Sequence, residues 1–156
     1  MSAPCLLTAP LRGALRAADA ARLAALAHGQ REPDPLPLLK LFNPLGAATW
    51  LATELAADGD TLFGLADLGF GCPELGSFSL AEIASLRLPY GLAIERDIAF
   101  STRFALSTWA DWSRRAGSIL WAETLLRRVE LAMPPGTTPL PPPANDPAPP
   151  DRDRGG

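Results

Sequence analysis

Cysteine, histidine and lysine are nearly missing from this 156-residue chain, which holds two cysteines, one histidine and, beside thirteen arginines, one lysine. Cys5 and Cys72 cannot staple a disulfide scaffold, and together with His28 they fall one donor short of a four-ligand zinc site. The same scarcity argues against thiol catalysis, because a Cys72 nucleophile needs a histidine base and His28 lies far away in chain order. Long apolar runs are missing as well. No stretch approaches the roughly 18 consecutive apolar residues of a bilayer span, and the first basic residue is Arg12, so no secretory leader is expected. Neither GxxxxGK[ST] nor GxGxxG occurs, so Gly69-Phe70-Gly71 reads as a tight turn and not as a phosphate loop. These absences predict a cytoplasmic protein in a reducing compartment, with no membrane contact, no metal and no cofactor.

What is present suits one folded domain. Apolar residues make up 47% and charged residues 20%, close to globular norms. A net charge of −3 lacks the basic surplus of a protein that grips a phosphate backbone. The charge is uneven, however. Segment 54–97 sets Glu54, Asp58, Asp60, Asp67, Glu74, Glu82, Glu95 and Asp97 against Arg87 and Arg96, while the flanking segments 1–53 and 98–133 are weakly basic. Such an acidic centre is either ordinary solvated surface or a face that attracts a cation or a basic partner. The solitary Lys40 reads as compositional bias.

Nine of the seventeen prolines fall in 134–156, which lacks aromatic residues and ends Asp-Arg-Asp-Arg-Gly-Gly. That composition cannot offset its ordering entropy, so the sequence predicts a folded domain over 1–133 and a disordered tail over 134–156. Two PxxP spacings in the tail, at Pro139 and Pro147, follow from proline density alone.

Within the domain, Thr8 reads as the N-cap of a helix over 9–28 that Gly29 stops. Strands are predicted over 36–43, 49–55, 61–68 and 92–100, with Asp58-Gly59 turning one hairpin and a short strand at Ser77-Phe78. Strict alternation puts Thr49, Leu51, Thr53 and Leu55 on one face of the second strand and Trp50, Ala52 and Glu54 on the other. Ser79-Leu80-Ala81-Glu82 is a capping box that opens a short helix. A long helix capped by Ser107 is expected to run to about residue 131, bending or splitting at Gly117. Its two apolar stripes need two neighbours, which leaves room for a homo-oligomer through this helix. The fold class that follows is α+β, a small antiparallel sheet of about four strands with a leading helix, a short middle helix and a long trailing helix.

Five ordered blocks carry a family likeness: Leu39-Lys40-Leu41-Phe42-Asn43-Pro44, Ala48-Thr49-Trp50-Leu51-Ala52-Thr53-Glu54-Leu55, Phe63-Gly64-Leu65-Ala66-Asp67-Leu68-Gly69, the run from Pro73 to Glu82, and the run from Ile94 to Phe100. Over about residues 5–110 the chain resembles domain of unknown function 2958 (DUF2958), small bacterial proteins often borne on plasmids and integrative elements. The resemblance implies a setting in mobile DNA and a small α+β domain, and it implies no activity.

Charged residues on apolar strands supply the candidate site. Lys40, Asp67 and Arg96 each share a strand side with apolar neighbours, so they must find partners or lie at a cleft mouth. Lys40, Asp67, Glu74 and Arg96 are therefore expected to converge, either as an ion-pair network or as a pocket beneath the 69–76 loop, with Glu95 and Asp97 beside them. From these residues the leading expectation is a non-catalytic accessory protein that presents acidity to a basic protein partner. One alternative is a divalent-metal-dependent enzyme acting on nucleic acid or a phosphate ester, with Asp67, Glu74, Glu95 and Asp97 as hard oxygen donors. The other is a weak single-stranded nucleic-acid binder in which Trp109, Trp112 and Trp121 stack among Arg103, Arg114, Arg115, Arg127 and Arg128.

Overall fold

A computed structural model gives the fold and describes residues 5–134. Helix α1 (Ala9–Ala27) starts where Thr8 accepts the Leu11 amide and ends at His28, followed by Gly29 at φ 64°. Strands β1 (Leu39–Phe42), β2 (Thr49–Leu55), β3 (Thr61–Asp67), β4 (Glu74–Ser79) and β5 (Glu95–Arg96) follow. Helix α2 (Leu80–Ser85) comes after β4, with Ser79 accepting the Glu82 amide as the capping box requires. Helices α3 (Leu106–Ala116) and α4 (Ile119–Ala132) close the described chain. The α+β class and the leading and trailing helices are as expected. The trailing helix splits at Gly117, whose φ of 80° ends α3 before Ser118 caps α4.

The described strands form one antiparallel sheet in the order β4-β3-β2-β1-β5. The short strand expected at Ser77-Phe78 extends back to Glu74, so the last three residues of the 69–76 loop belong to β4. The strand expected over 92–100 shrinks to Glu95 and Arg96, which pair with Phe42 and Leu41 of β1. At the start of α3 the cap is Ala105, and Asp34 does the work expected of Ser107. The Asp34 carboxylate accepts the Ser107 amide at 3.1 Å and also takes the Ser107 hydroxyl.

Two cores lie on the two faces of the sheet. One packs Leu39, Leu41, Trp50, Ala52, Leu55 and Leu62 with Leu15 of α1 and Ile83 of α2. The other packs Leu51 and Leu65 with Phe104, Trp109, Ile119 and Leu126 beneath α3 and α4. Covered from both sides, β2 is buried along its whole length.

A bulge in β2 overturns the strict alternation expected there. Pairing to β3 shifts between Ala52 and Glu54, so Leu55 joins the face of Trp50 and Ala52 while Glu54 crosses to the face of Leu51. Gly64 permits it. A Cβ on Gly64 would stand 1.8 Å from the Leu51 carbonyl oxygen and 2.8 Å from the Ala52 Cα, both backbone atoms.

Candidate functional site

The expected quartet does not assemble. Sheet order alone separates Glu74 on edge strand β4 from Arg96 on the opposite edge strand β5. Glu74 and Glu95 are exposed and Arg96 is half-buried. Asp67 is fully buried, and both its oxygens serve backbone amides: Oδ1 accepts from Gly69 at 2.9 Å and Oδ2 from Ile119 at 2.9 Å. It therefore caps the start of α4 from the end of β3 and has no free edge for a ligand. Of the six residues, Lys40 and Asp97 do meet. Lys40 Nζ lies 2.7 Å from Glu123 and 3.4 Å from Asp97, with the Phe42 ring 5.9 Å away. Arg127 stands 3.6 Å from the other Glu123 oxygen, so α4 closes an ion cluster over β1. Small hollows of about 220 and 130 Å³ flank it.

The residues of the other two readings disperse likewise. Among the described residues, no group of three or more His, Cys, Asp or Glu side chains is placed to hold a metal ion. Trp109 is buried with its indole N–H on Thr102 at 3.0 Å, and Trp112 packs against the same core, so of the three stacking candidates Trp121 is the exposed one. Arg114 and Arg115 lie in the last turn of α3, and Arg127 pairs with Glu123. Trp121 and Leu131 leave apolar surface on α4. Cys5 and Cys72 are free and exposed. No helix among the described residues is long and apolar enough to cross a membrane.

The acidic centre also dissolves into separate duties. Asp58 turns the β2–β3 hairpin, and Asp60 accepts the Ala81 amide and the Ser79 hydroxyl at the start of α2. With Asp67 and Asp97 committed as above, half of the eight acids hold backbone or Lys40 in place.

A different site emerges at the far end of β2. Beyond Leu39, the first residue of β1, which pairs with Ala52, the edge of β2 is covered by α1, where Arg16 donates to the Leu55 carbonyl at 2.8 Å and Arg12 to the Gly59 carbonyl at 3.0 Å. Helical spacing places Asp19 and Arg22 on the same side. Asp19 receives Arg16 at 2.9 Å and Arg22 at 3.4 Å, and Arg22 Nε donates to Glu54 at 2.7 Å. Hydrogen bonding to Glu54, with the charges of Glu54 and Asp19, raises the Arg22 guanidinium above its ordinary value and keeps it charged.

These groups border an open cleft of about 490 Å³ between α1, the connector that leads to β1, the sheet and the start of α3. Its carboxylates are Asp19, Glu32, Asp34 and Glu54, and its one lining cation is Arg22. Its apolar lining is Phe63 and Leu75 from the sheet, Pro33 and Pro35 from the connector, and Leu106. Phe63 and Leu75 are 36% and 40% exposed, because α3 and α4 cover their neighbours Leu51 and Leu65 on the same face and stop short of them. Sequence reasoning missed this cleft: three of its carboxylates come from the weakly basic first segment, and the fourth reaches it through the bulge. The signal that was available is Gly64, a glycine inside a strand.

A family model described as protein of unknown function (DUF2958) matches residues 6–120, twenty residues beyond the last of the five blocks, so that all of α3 lies within it. No curated protein and no solved structure matches the chain.

Proposed function

Because the chain belongs to the DUF2958 family, whose description assigns no activity, we propose that it is a non-catalytic accessory factor of a plasmid or other mobile element. It works in the cytoplasm through protein contacts, and the cleft between α1 and the sheet is where a basic partner docks. The mobile-element setting is inherited from the family resemblance. The docking role rests on one observation: an apolar floor ringed by four carboxylates and one arginine stands open. Buried apolar area provides affinity there, and the charge excess selects a cationic partner and steers its approach. No comparable convergence supports turnover, since the carboxylates of the metal reading lie on opposite sheet edges or are spent on backbone amides.

Calorimetric titration of the full chain with an arginine-rich nonapeptide tests the reading. Affinity is expected to fall with added salt and to drop about tenfold in the Glu32→Gln/Glu54→Gln double variant, with circular dichroism verifying its fold; about tenfold corresponds to about 1.4 kcal/mol. An affinity that the double variant leaves unchanged removes the cleft as the docking site.

A further inference from the structure

We infer that the partner segment docks as an added sixth strand on the free edge of β4, sending its basic side chains across Leu75 and Phe63 towards the cleft carboxylates. This deepens the docking reading and rests on it. The first observation is the contrast between the two edges of the sheet. Edge strands are usually guarded by shortness, by charges, by proline or by a bulge. On one side β5 is two residues long and both are charged. On the other, β4 runs six residues, carries its single charge at Glu74, contains no proline and pairs with β3 in unbroken register. Among the described residues β3 is its one strand neighbour. Its outer backbone amides and carbonyls thus form an unguarded template for an extended segment.

The second observation places that template on the lip of the cleft. Leu75 and Ser77 line the cleft, and Ser77 pairs with Phe63, which pairs in turn with Glu54. One row across the sheet therefore leads from the free edge over an exposed aromatic ring to a carboxylate. A strand added at about 4.8 Å from β4 sets every second side chain on this face. A long cationic side chain there lays its aliphatic stem on Leu75 and its head near the Phe63 ring, facing the acidic wall. Charge complementarity fixes the occupant as a basic, extended protein segment: its cations meet the negative excess left after Arg16 and Arg22 have paired with Asp19 and Glu54, which Glu32 and Asp34 carry.

The test uses the full chain and a fluorescein-labelled nonapeptide alternating arginine with valine. Anisotropy is expected to show binding that weakens at least tenfold when the peptide amides that face β4 are N-methylated, and at least tenfold again for Leu75→Arg in the protein. Amide exchange across 74–79 is expected to slow on binding while Glu95 and Arg96 stay unchanged. If N-methylation and Leu75→Arg have no effect and protection appears only at 19–22 and 32–35, strand addition is wrong and the cleft reading survives. If no basic peptide binds, both fall. If sedimentation shows a dimer that Leu75→Arg dissociates, the occupant is a second copy and the inference is overturned.

Discussion

Lys40 and Arg22 each gather carboxylates from distant parts of the chain, one beneath a helix and the other at the mouth of a cleft. The Lys40 side chain is 8% exposed and its partners Asp97 and Glu123 come from a loop and from α4. The Arg22 side chain is 31% exposed, and its strongest partner Glu54 faces the cleft by virtue of the bulge. The exposures are reversed in the two clusters: Lys40 is buried between carboxylates that are 31% and 20% exposed, whereas Asp19 and Glu54, at 7% and 6%, are buried beneath an arginine that water reaches. A buried charge must be neutralised by its neighbours, because leaving it unpaired costs several kcal/mol, while water screens the half-exposed members.

The most damaging way to break this contrast is Gly64→Ala. The new methyl group would collide with backbone on β2, so the bulge that aims Glu54 must be lost or the strands must part. A loss of roughly 4 kcal/mol or more is expected, seen as a missing cooperative transition in urea. Next in size is Arg22→Met, which leaves the buried Glu54 without its cation and Asp19 with Arg16 alone, and is expected to cost about 3–5 kcal/mol. Lys40→Met removes an ammonium from Asp97 and Glu123, which water reaches, so about 1–2 kcal/mol is expected. Urea midpoints for the two variants measure the difference between stranding buried carboxylates and stranding half-exposed ones. Equal losses would mean that burial of the carboxylates does not set the cost.

Local signals were legible and sheet order was not. Thr8, the Asp58-Gly59 turn and the Ser79 capping box act within a few residues of themselves, and each appears where the sequence put it. The conclusion that Lys40 needs a partner was sound physics, yet its closest partner, Glu123, lies 83 residues away on a helix. Asp67 showed why a buried carboxylate need not seek a cation: two backbone amides satisfy it. Glu74 and Arg96 looked like companions because Arg96 sat among apolar neighbours and Glu74 in the loop expected above them, and strand order placed them on opposite edges. The cleft was the hardest to foresee. It needs α1 to close the edge of β2, α3 to stop short of Phe63, and a bulge to turn Glu54, and only Gly64 left a trace of these in the sequence. The solitary Lys40, which the sequence left without a role, is buried between Asp97 and Glu123.

The smallest expected effect sharpens the comparison at the hairpin that frames the open end. Asp58 accepts the Thr61 hydroxyl at 2.6 Å and the Thr61 and Asp60 amides at 2.8 Å each. The Thr61 hydrogen bonds above all hold its carboxyl down to about 2, against an ordinary 3.8. A carboxyl lowered on folding stabilises the protein fully above its unfolded value, and that contribution fades as pH falls through the folded one. The part owed to Asp58 is therefore intact at pH 5 and disappears between about pH 4 and pH 2. Asp58→Asn keeps one accepting oxygen but cannot titrate. Its stability is expected to lie below that of the parent at pH 5 and to meet it near pH 2, in urea titrations run at each pH. Parallel curves across that range would show that the turn is not held by the charged form. Thr61, which lines the cleft floor beside Phe63, would then owe its position to the sheet alone.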